Sequence, residues 1–264
     1  MHVALYALMT YESCYLDEWI EYYRRLGVDD FYISQHVPWK FTGKNREAAD
    51  VNLEVHSRTE RQDFLFTRFL SRPGIQKKYD WALFFDIDEF LVLKNGDIGL
   101  KQFLEKFSSS NGIAFNWKIF GFKTALEDQD ASVLERFIHC RKLLSKTVKL
   151  ALNLKNIPSG CKFSGPHEVC IGDGFGNLLD VDDPSGKKHQ WNKFDEERID
   201  FENKNYAWLA HFMTKTRSEF DKKLKAFLDG PGFDRTDYFD AVNRDANEAI
   251  DTSARDFMRH GKFG

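Results

Sequence analysis

The sequence has 264 residues, of which 42% are hydrophobic and 15% aromatic, and its formal net charge is −3. This length provides enough apolar material for one large domain or two small ones. The small net charge and the lack of a basic run exclude a nucleic-acid-binding protein. No apolar run is long enough to span a bilayer.

The beginning of the chain and its cysteines bear on the compartment. The apolar start, MHVALYALM, is too short for a membrane helix and lacks the basic start and cleavage site of a signal peptide. The four cysteines are scattered and form no CxxC pair. Reduced thiols in a cytosolic protein are therefore expected, rather than a zinc site or a disulfide framework. These features favour a cytoplasmic protein, including one at a membrane surface, and leave its oligomeric state open.

In the first half, hydrophobic periodicity alternates between strands and helices. The pattern predicts strands at 3–9, 28–34, 51–57, 81–85 and 112–117, and helices at 13–26, 59–72 and 98–107. Gly27 follows the first helix as a stop signal. Such alternation predicts an α/β fold with a mostly parallel, Rossmann-like central sheet and flanking helices on both faces.

The second half is less regular and contains more short strands. The predicted strands lie at 147–154, 167–174 and 206–213, and a helix is expected at 218–230. Residues 180–205 are polar and predict a loop with a short strand. Residues after 230 predict a charged helix or a loosely ordered tail.

Residues 80–90, DWALFFDIDEF, place acids directly after an apolar strand. Residues i and i+2 of a strand point to the same face, so Asp86 and Asp88 should project together. Ligands bind at the carboxyl ends of strands in open α/β sheets. Carboxylates there offer hard oxygen ligands to Mg²⁺ or Mn²⁺, with water and diphosphate oxygens completing the coordination. Alternatively, the acids cap the next segment or pair with Lys or Arg, but their clustering at a strand end favours the metal.

A phosphohydrolase with an aspartyl nucleophile is another class that carries D-x-D after an apolar strand. That class needs a small residue and then Thr after the second Asp, so that the backbone can approach a phosphate. Here Glu89 and Phe90 follow, and the motif lies on a third or fourth strand instead of opening the fold. This alternative is therefore disfavoured.

Several blocks occur in an order that resembles glycosyltransferase family 92 and related family 2-like enzymes, which have the GT-A fold. The blocks are TYESCYLDEWIEYYRRLGVDDFYI, RQDFLFTRFL, YDWALFFDIDEFL, NWKIFG, LERF, SKTV, PHEV and LAHFMTKTRSEFDKKL. The resemblance implies a single GT-A-like domain over residues 1–230. Its nucleotide-sugar half would span about 1–117 and its acceptor-side half about 118–230, with a helical or loosely ordered extension at 231–264.

The resemblance implies transfer of a sugar from a nucleotide diphosphate donor, typically a UDP-sugar, to a hydroxyl of a glycan acceptor, with inversion. It also implies a divalent metal, usually Mn²⁺ and otherwise Mg²⁺. Asp88 would ligate the metal directly, and Asp86 would contact metal-bound water or the donor ribose. His211, in the block that matches H-[FY]-x-x-K, would be the third protein ligand.

Further donor-binding residues follow from the same resemblance. Glu12 matches an acid after the first strand that lies near the nucleobase or the ribose. Gln62 matches the glutamine of the helix before the strand that leads to Asp86 and Asp88. Lys146 matches a lysine placed to meet the diphosphate, and His167 matches a histidine near the acceptor. The chain departs from the family pattern at SQHVPWK (34–40), where Asn or Asp with Ser is usual. The identity of the base is therefore left open.

The general base is not identified by the sequence. Glu127, Asp128 and Asp130 are the acids to test first, and solvated loop residues are the alternative for each. Glu89 is expected to be structural and to orient the metal strand. A second hypothesis, which the altered SQHVPWK segment permits, is a nucleotide- or sugar-binding module of the same fold that has lost turnover.

Overall fold

The computed structural model of the chain describes residues 1–38, 40–94, 99–123, 132–172, 177–189, 206–227 and 236–263. The strands are β1 Val3–Met9, β2 Asp30–His36, β3 Val51–His56, β4 Trp81–Phe84, β5 Glu89–Leu93, β6 Gly112–Ile119, β7 His139–Cys140, β8 Val148–Asn153, β9 Cys161–Gly165, β10 Glu168–Ile171, β11 Val181–Asp182, β12 Lys188–His189, β13 Ala207–His211 and β14 Ala249–Ile250. The helices are α1 Leu16–Leu26, α2 Gln62–Leu70, α3 Ile75–Lys78, α4 Leu100–Glu105, α5 Val133–Arg136, α6 Arg217–Phe227, α7 Thr236–Asp245 and α8 Ser253–His260. Short 3-10 helices span Glu12–Cys14 and Lys44–Glu47.

The main sheet is mixed and largely parallel on one side. Its strand order is β12-β11-β6-β8-β4-β1-β2-β3, and β13 pairs with β6 and with β5. Strands β3, β2, β1 and β4 run parallel, whereas β8 is antiparallel to both β4 and β6. The predicted α/β class is confirmed, and the arrangement is compatible with a Rossmann-like fold. The carboxyl ends of β1 and β4 therefore lie side by side.

Both faces of the sheet are covered, as the alternation of β1 illustrates. Val3 and Leu5 point into the cluster that contains α1, whereas Ala4 and Tyr6 point into the cluster that contains α2. Successive strand residues face opposite sides of a sheet, so one apolar strand serves two cores. This double coverage explains why the first strands are continuous apolar runs.

Helix α1 forms as its hydrophobic spacing predicts. Leu16, Trp19 and Leu26 are buried along one face. Gly27 ends the helix with φ of 115°, and its N–H donates to the carbonyl of Tyr23. This left-handed conformation favours glycine, so the stop signal in the sequence has a direct physical cause.

The acid-tipped segment differs from the strand that was predicted. Strand β4 ends at Phe84, and Asp86 and Asp88 lie in the turn that leads to β5. The i, i+2 strand geometry expected for these acids is therefore wrong. Strand β5 was missed because its partner is β13, more than a hundred residues away, with Glu89 opposite His211.

The C-terminal region packs onto the rest of the chain. Helix α8 buries Ala254 and Phe257 in the core next to α1, and β14 pairs with β7. The domain boundary expected near residue 230 lies outside the described residues, as do 190–205 of the polar region and 228–230 of the predicted helix. In the described ranges, no helix has the length and apolarity needed to cross a membrane.

Helix α6 is anchored by a buried ion pair. The Glu219 carboxylate accepts hydrogen bonds from Arg136 Nη1 at 2.9 Å and Nη2 at 2.6 Å, and further bonds from Thr216 and the Tyr15 hydroxyl. Burial alone would raise the pKa of Glu219, but these donors outweigh it and lower the pKa to about 2. The pair thereby fixes the helix that carries Lys223.

The low pKa of Glu219 predicts an acid-dependent contribution to stability. Its pKa lies below the ordinary value of about 4.3, so the stabilisation is complete above that value and is lost as pH falls towards about 2. Glu219→Gln should cost about 3–5 kcal/mol near neutral pH, because it leaves Arg136 charged and buried. The difference in the free energy of unfolding between the variant and the parent protein should become smaller as the pH falls from about 4.3 towards about 2. Denaturant unfolding at several pH values measures it. Glu135→Gln, which removes an exposed partner of Arg259, is the control, and a pH-independent difference for Glu219→Gln would contradict the ion pair.

Candidate active site

The turn between β4 and β5 places three acids at the carboxyl edge of the sheet. The Asp86 side chain is 30% exposed, whereas Asp88 and Glu89 are buried. The end of β13 is tied to the same turn, because Phe212 N donates to Asp88 O at 2.9 Å. Neighbouring carboxylates at such depth require compensating positive charge or protonation.

Asp86 is held by an amide and an ammonium. Gln62 Nε2 donates to Asp86 Oδ1 at 2.5 Å, and Lys149 Nζ lies 2.9 Å from Oδ2. Burial would raise the pKa of Asp86, but the attraction of Lys149 outweighs it and the pKa is lowered. Lys149 is fully buried in β8, and the nearby Asp86 and Glu89 raise its pKa against the effect of burial.

Asp88 is surrounded by two lysines and a histidine. Lys215 Nζ and Lys223 Nζ lie 3.2 and 3.1 Å from its Oδ2, and His211 Nε2 lies 3.4 Å from its Oδ1. Burial opposes ionisation, but the two lysines and the histidine hold the pKa of Asp88 well below its usual range. The negative charge of the Asp88 carboxylate is therefore already compensated by neighbouring positive charge.

The two lysines at Asp88 differ in their environments. Lys215 is 2% exposed, and burial lowers the pKa of its ammonium in spite of the attraction of Asp88. Its φ of 54° lies in the left-handed region, where the other described residues with positive φ are glycines. Such strain is tolerated where surrounding structure holds it. The pKa of Lys223 is raised, because Asp88 and Glu12 outweigh burial.

Glu89 and His211 lie next to each other behind the acid turn. Glu89 Oε2 accepts a hydrogen bond from Asp86 N at 2.9 Å, and its Oε1 lies 4.0 Å from His211 Nδ1. Neither Oε1 nor Nδ1 has a hydrogen-bond partner among the described residues. Burial raises the pKa of Glu89 well above its ordinary value and lowers the pKa of His211.

The remaining predicted site residues fall at different distances from the acids. Glu12 lines the same cavity as Asp88, and its Oε2 accepts hydrogen bonds from Thr10 N and Tyr11 N at 2.8 and 3.0 Å. Burial and the negative charge of Asp88 raise the pKa of Glu12. Lys146 is exposed and makes no ion pair with either aspartate.

His167 is half-buried behind the cavity and does not line it. Its Nδ1 donates to Val148 O at 2.8 Å, and its ring lies edge-on to Trp117 with centroids 5.2 Å apart. Burial and the Lys149 ammonium lower the pKa of His167 to about 4. The ring is therefore neutral near pH 7 and supports Trp117.

A cavity of about 230 Å³ lies beside the acid turn. Its polar side is lined by Thr10, Glu12, Gln62, Asp86, Asp88, His211 and Lys223, and its apolar side by Leu8, Trp117, Met213, Phe220, Leu224 and Tyr238. The Trp117 ring also lies 4.3 Å from the His211 ring, measured between centroids. A cavity lined by both charged and aromatic side chains suits a ligand that has an anionic part and an apolar face.

Sequence reasoning missed the lysines that balance the acids. Lys149 interrupts the apolar strand VKLALN, and a charge within such a strand is the signal that could have identified it. Lys215 lies in the H-[FY]-x-x-K block, whereas Lys223 has no feature that distinguishes it from Lys222. The candidate bases Glu127, Asp128 and Asp130 lie outside the described residues.

The residues expected to ligate a metal differ in how close they lie to one another. Across the described parts of the chain, no group of three His, Cys, Asp or Glu side chains has the arrangement of a metal site. Asp88 Oδ1 and His211 Nε2 are close enough to share an ion, while Asp86 faces Gln62 and Lys149. Asp88 and His211 are therefore a pair of neighbouring donors and not a group of three.

Solved structures give only weak likenesses. HddC from Yersinia pseudotuberculosis is 11% identical, with a TM-score of 0.30, and the match covers 60% of this chain and 80% of that one. A197 from STIV is 11% identical, with a TM-score of 0.32, and the match covers 76% of this chain and 100% of that one. Neither value is high enough to inform the fold or the function. No curated protein sequence matches the chain.

A protein family is indicated by the region around the acid turn. The family model described as glycosyltransferase family 92 matches residues 74–157, about a third of the chain. The matched region contains β4, the acid turn, β5 and the strand that carries Lys149. This match confirms the resemblance seen in the sequence and supports the assignment of the chain to glycosyltransferase family 92, and thus to the glycosyltransferases.

Proposed function

We propose that this glycosyltransferase is metal-dependent and moves a sugar from a UDP-sugar to a hydroxyl of a glycan acceptor, with inversion. The observation that carries the proposal is one cavity in which Asp88 and His211 face the same space as Lys223. We also infer that the domain is of the GT-A type. The parallel order β3-β2-β1-β4, followed by the antiparallel β8, supports that inference.

The lysines around Asp88 support a diphosphate as the anionic part of the donor. Lys215 and Lys223 direct both ammonium groups to one carboxylate oxygen. Ammonium groups are strong donors to phosphate oxygens. A diphosphate that enters the cavity would replace Asp88 as the partner of Lys223, which lines the cavity.

The residues that would hold a divalent ion are Asp88 and His211. A carboxylate and an imidazole suit Mn²⁺, and diphosphate oxygens and water commonly fill the remaining positions of such ions. When bound, the ion would supply a Lewis acid that stabilises negative charge on the departing diphosphate. Asp86 is committed to Gln62 and Lys149, so we assign it to holding the turn and contacting the donor.

The apolar wall supports the binding of a sugar. Trp117, Phe220 and Tyr238 line the same cavity as the acids, and aromatic planes cover the C–H faces of sugars well. The same wall would exclude water, which would otherwise compete with the acceptor hydroxyl. Glu127, Asp128 and Asp130 are the candidates for the general base.

A cytoplasmic location, including one at a membrane surface, is part of the proposal. Cys14, Cys140, Cys161 and Cys170 form no disulfide. Free thiols are typical of proteins in reducing compartments.

Asp88→Asn should reduce release of UDP from a panel of UDP-sugars by about 10²–10³-fold, because the variant loses the anionic metal ligand. Asp80→Asn is the matched control. Asp80 precedes the same strand and pairs with the chain's N-terminus at the opposite end. Full donor turnover by Asp88→Asn would contradict the assigned role.

UDP should bind more tightly with Mn²⁺ than without it, by at least about tenfold, or about 1.4 kcal/mol. The physical reason is that the ion links the diphosphate to Asp88 and His211. Isothermal titration calorimetry of the parent protein, with and without Mn²⁺, measures the difference. Equal affinities would refute metal dependence. The absence of any UDP binding would refute the proposal that the donor is a UDP-sugar.

Lys223→Gln should tighten the binding of Mn²⁺ measured without nucleotide, by about tenfold. The substitution removes a positive charge 3.1 Å from Oδ2 of the Asp88 carboxylate, and like charges at such distances repel by about 1–4 kcal/mol. Lys222→Gln, one residue earlier and exposed, controls for net charge. If both variants bind Mn²⁺ as the parent does, Lys223 does not compete for the carboxylate.

A further inference from the structure

The Glu89 side chain lies between the Asp86 backbone N–H and the His211 ring. Its Oε2 already accepts from the Asp86 backbone, and its Oε1 faces His211 Nδ1. The antiparallel pairing of β5 with β13 puts Glu89 and His211 directly opposite each other. Their proximity is therefore set by the backbone, and not by the choice of a flexible rotamer.

The two facing atoms have no other partner. Glu89 Oε1 and His211 Nδ1 are buried and make no hydrogen bond to any described residue, and the side chains are 0% and 5% exposed. A buried polar atom left unpaired costs about 1–3 kcal/mol. Their separation of 4.0 Å is too long for a hydrogen bond. Contacts of this kind often lengthen in free enzymes and tighten when the ligand binds.

We propose that Glu89 is a positioning residue for His211, with Oε1 accepting the Nδ1–H so that Nε2 keeps its lone pair directed towards Asp88. The inference rests on the proposed function, because Nε2 needs an ion to ligate. Histidine ligands ordinarily donate their second N–H to a carboxylate or carbonyl, which fixes the tautomer and the ring orientation. The Trp117 ring packs against His211 and limits its rotation.

A carboxylate is the group that this position requires. In the proposed contact each oxygen of Glu89 accepts from a different N–H, Oε2 from the Asp86 backbone and Oε1 from the His211 ring. The amide of a glutamine has the same shape but a single oxygen. Glu89→Gln therefore keeps the packing and loses one of the two acceptors.

The experiment is a double-mutant cycle on Mn²⁺ affinity, with UDP present, measured by electron paramagnetic resonance of the free ion. It uses the parent protein, Glu89→Gln, His211→Ala and the double variant. We expect Glu89→Gln to weaken Mn²⁺ binding by about 10–100-fold in the parent and by less than about twofold when His211 is already Ala. Glu18→Gln makes the same substitution at a carboxylate that caps α5. It should leave the affinity for Mn²⁺ unchanged.

The outcomes separate the inference from the proposed function. Tight Mn²⁺ binding by the parent, with no effect of Glu89→Gln or with equal effects in both backgrounds, would overturn the positioning role and leave metal dependence intact. No Mn²⁺ binding by the parent would overturn both. If Glu89→Gln does not fold, ¹⁵N NMR of the parent's histidines with Zn²⁺ and UDP measures which nitrogen of His211 carries the proton. A protonated Nδ1 on His211 supports the inference, and a metal-bound Nδ1 contradicts it.

Discussion

Charge balance at the end of β4 is the constraint on which the rest of the site depends. Asp86 and Asp88 remain ionised although burial opposes their charge, because lysines from separate parts of the chain approach them. Lys149 comes from the antiparallel strand β8, whereas Lys215 and Lys223 come from the segment after β13. Removing Lys149 would leave Asp86 without a cationic partner, whereas Asp88 would keep one lysine after the loss of the other.

The fold brings these charges together through long-range contacts. Parallel pairing of β1 with β4 aligns Glu12 with the acid turn, and β13 reaches the turn through β5. The Arg136–Glu219 pair fixes helix α6, so that Lys223 is presented to Asp88. A cavity lined by acids, a lysine and aromatic rings follows from this topology. It is the kind of site that a glycosyltransferase with an anionic donor needs.

The sequence predicts the parts of this structure that have a local cause. The helix before Gly27 and the apolar run before Asp86 follow from periodicity and from a glycine stop, and both were found. Strand β5 and the partner of His211 depend on pairing between distant segments, which no short window contains. The turn conformation of Asp86 was missed for the same reason, since β5 begins only three residues later.

The lysines show a second limit of sequence-based prediction. Lys146 matched a motif but lies exposed before β8. Lys149, which is inside β8, reaches Asp86. A lysine's long side chain can serve either solvent or a buried anion, and only the folded chain decides between them. Gln62 and His211, which a residue pattern rather than a single residue indicated, lie next to the acid turn, and their roles in binding stay predictions.

The most direct test is a crystal structure of the protein with Mn²⁺ and UDP, collected with anomalous scattering from manganese. A strong anomalous peak in contact with Asp88 and His211 Nε2, with Lys223 moved onto a phosphate oxygen, is the expected result. A complex in which Lys223 remains on Asp88 and no peak lies at the acid turn would contradict a divalent ion as the natural partner of these carboxylates.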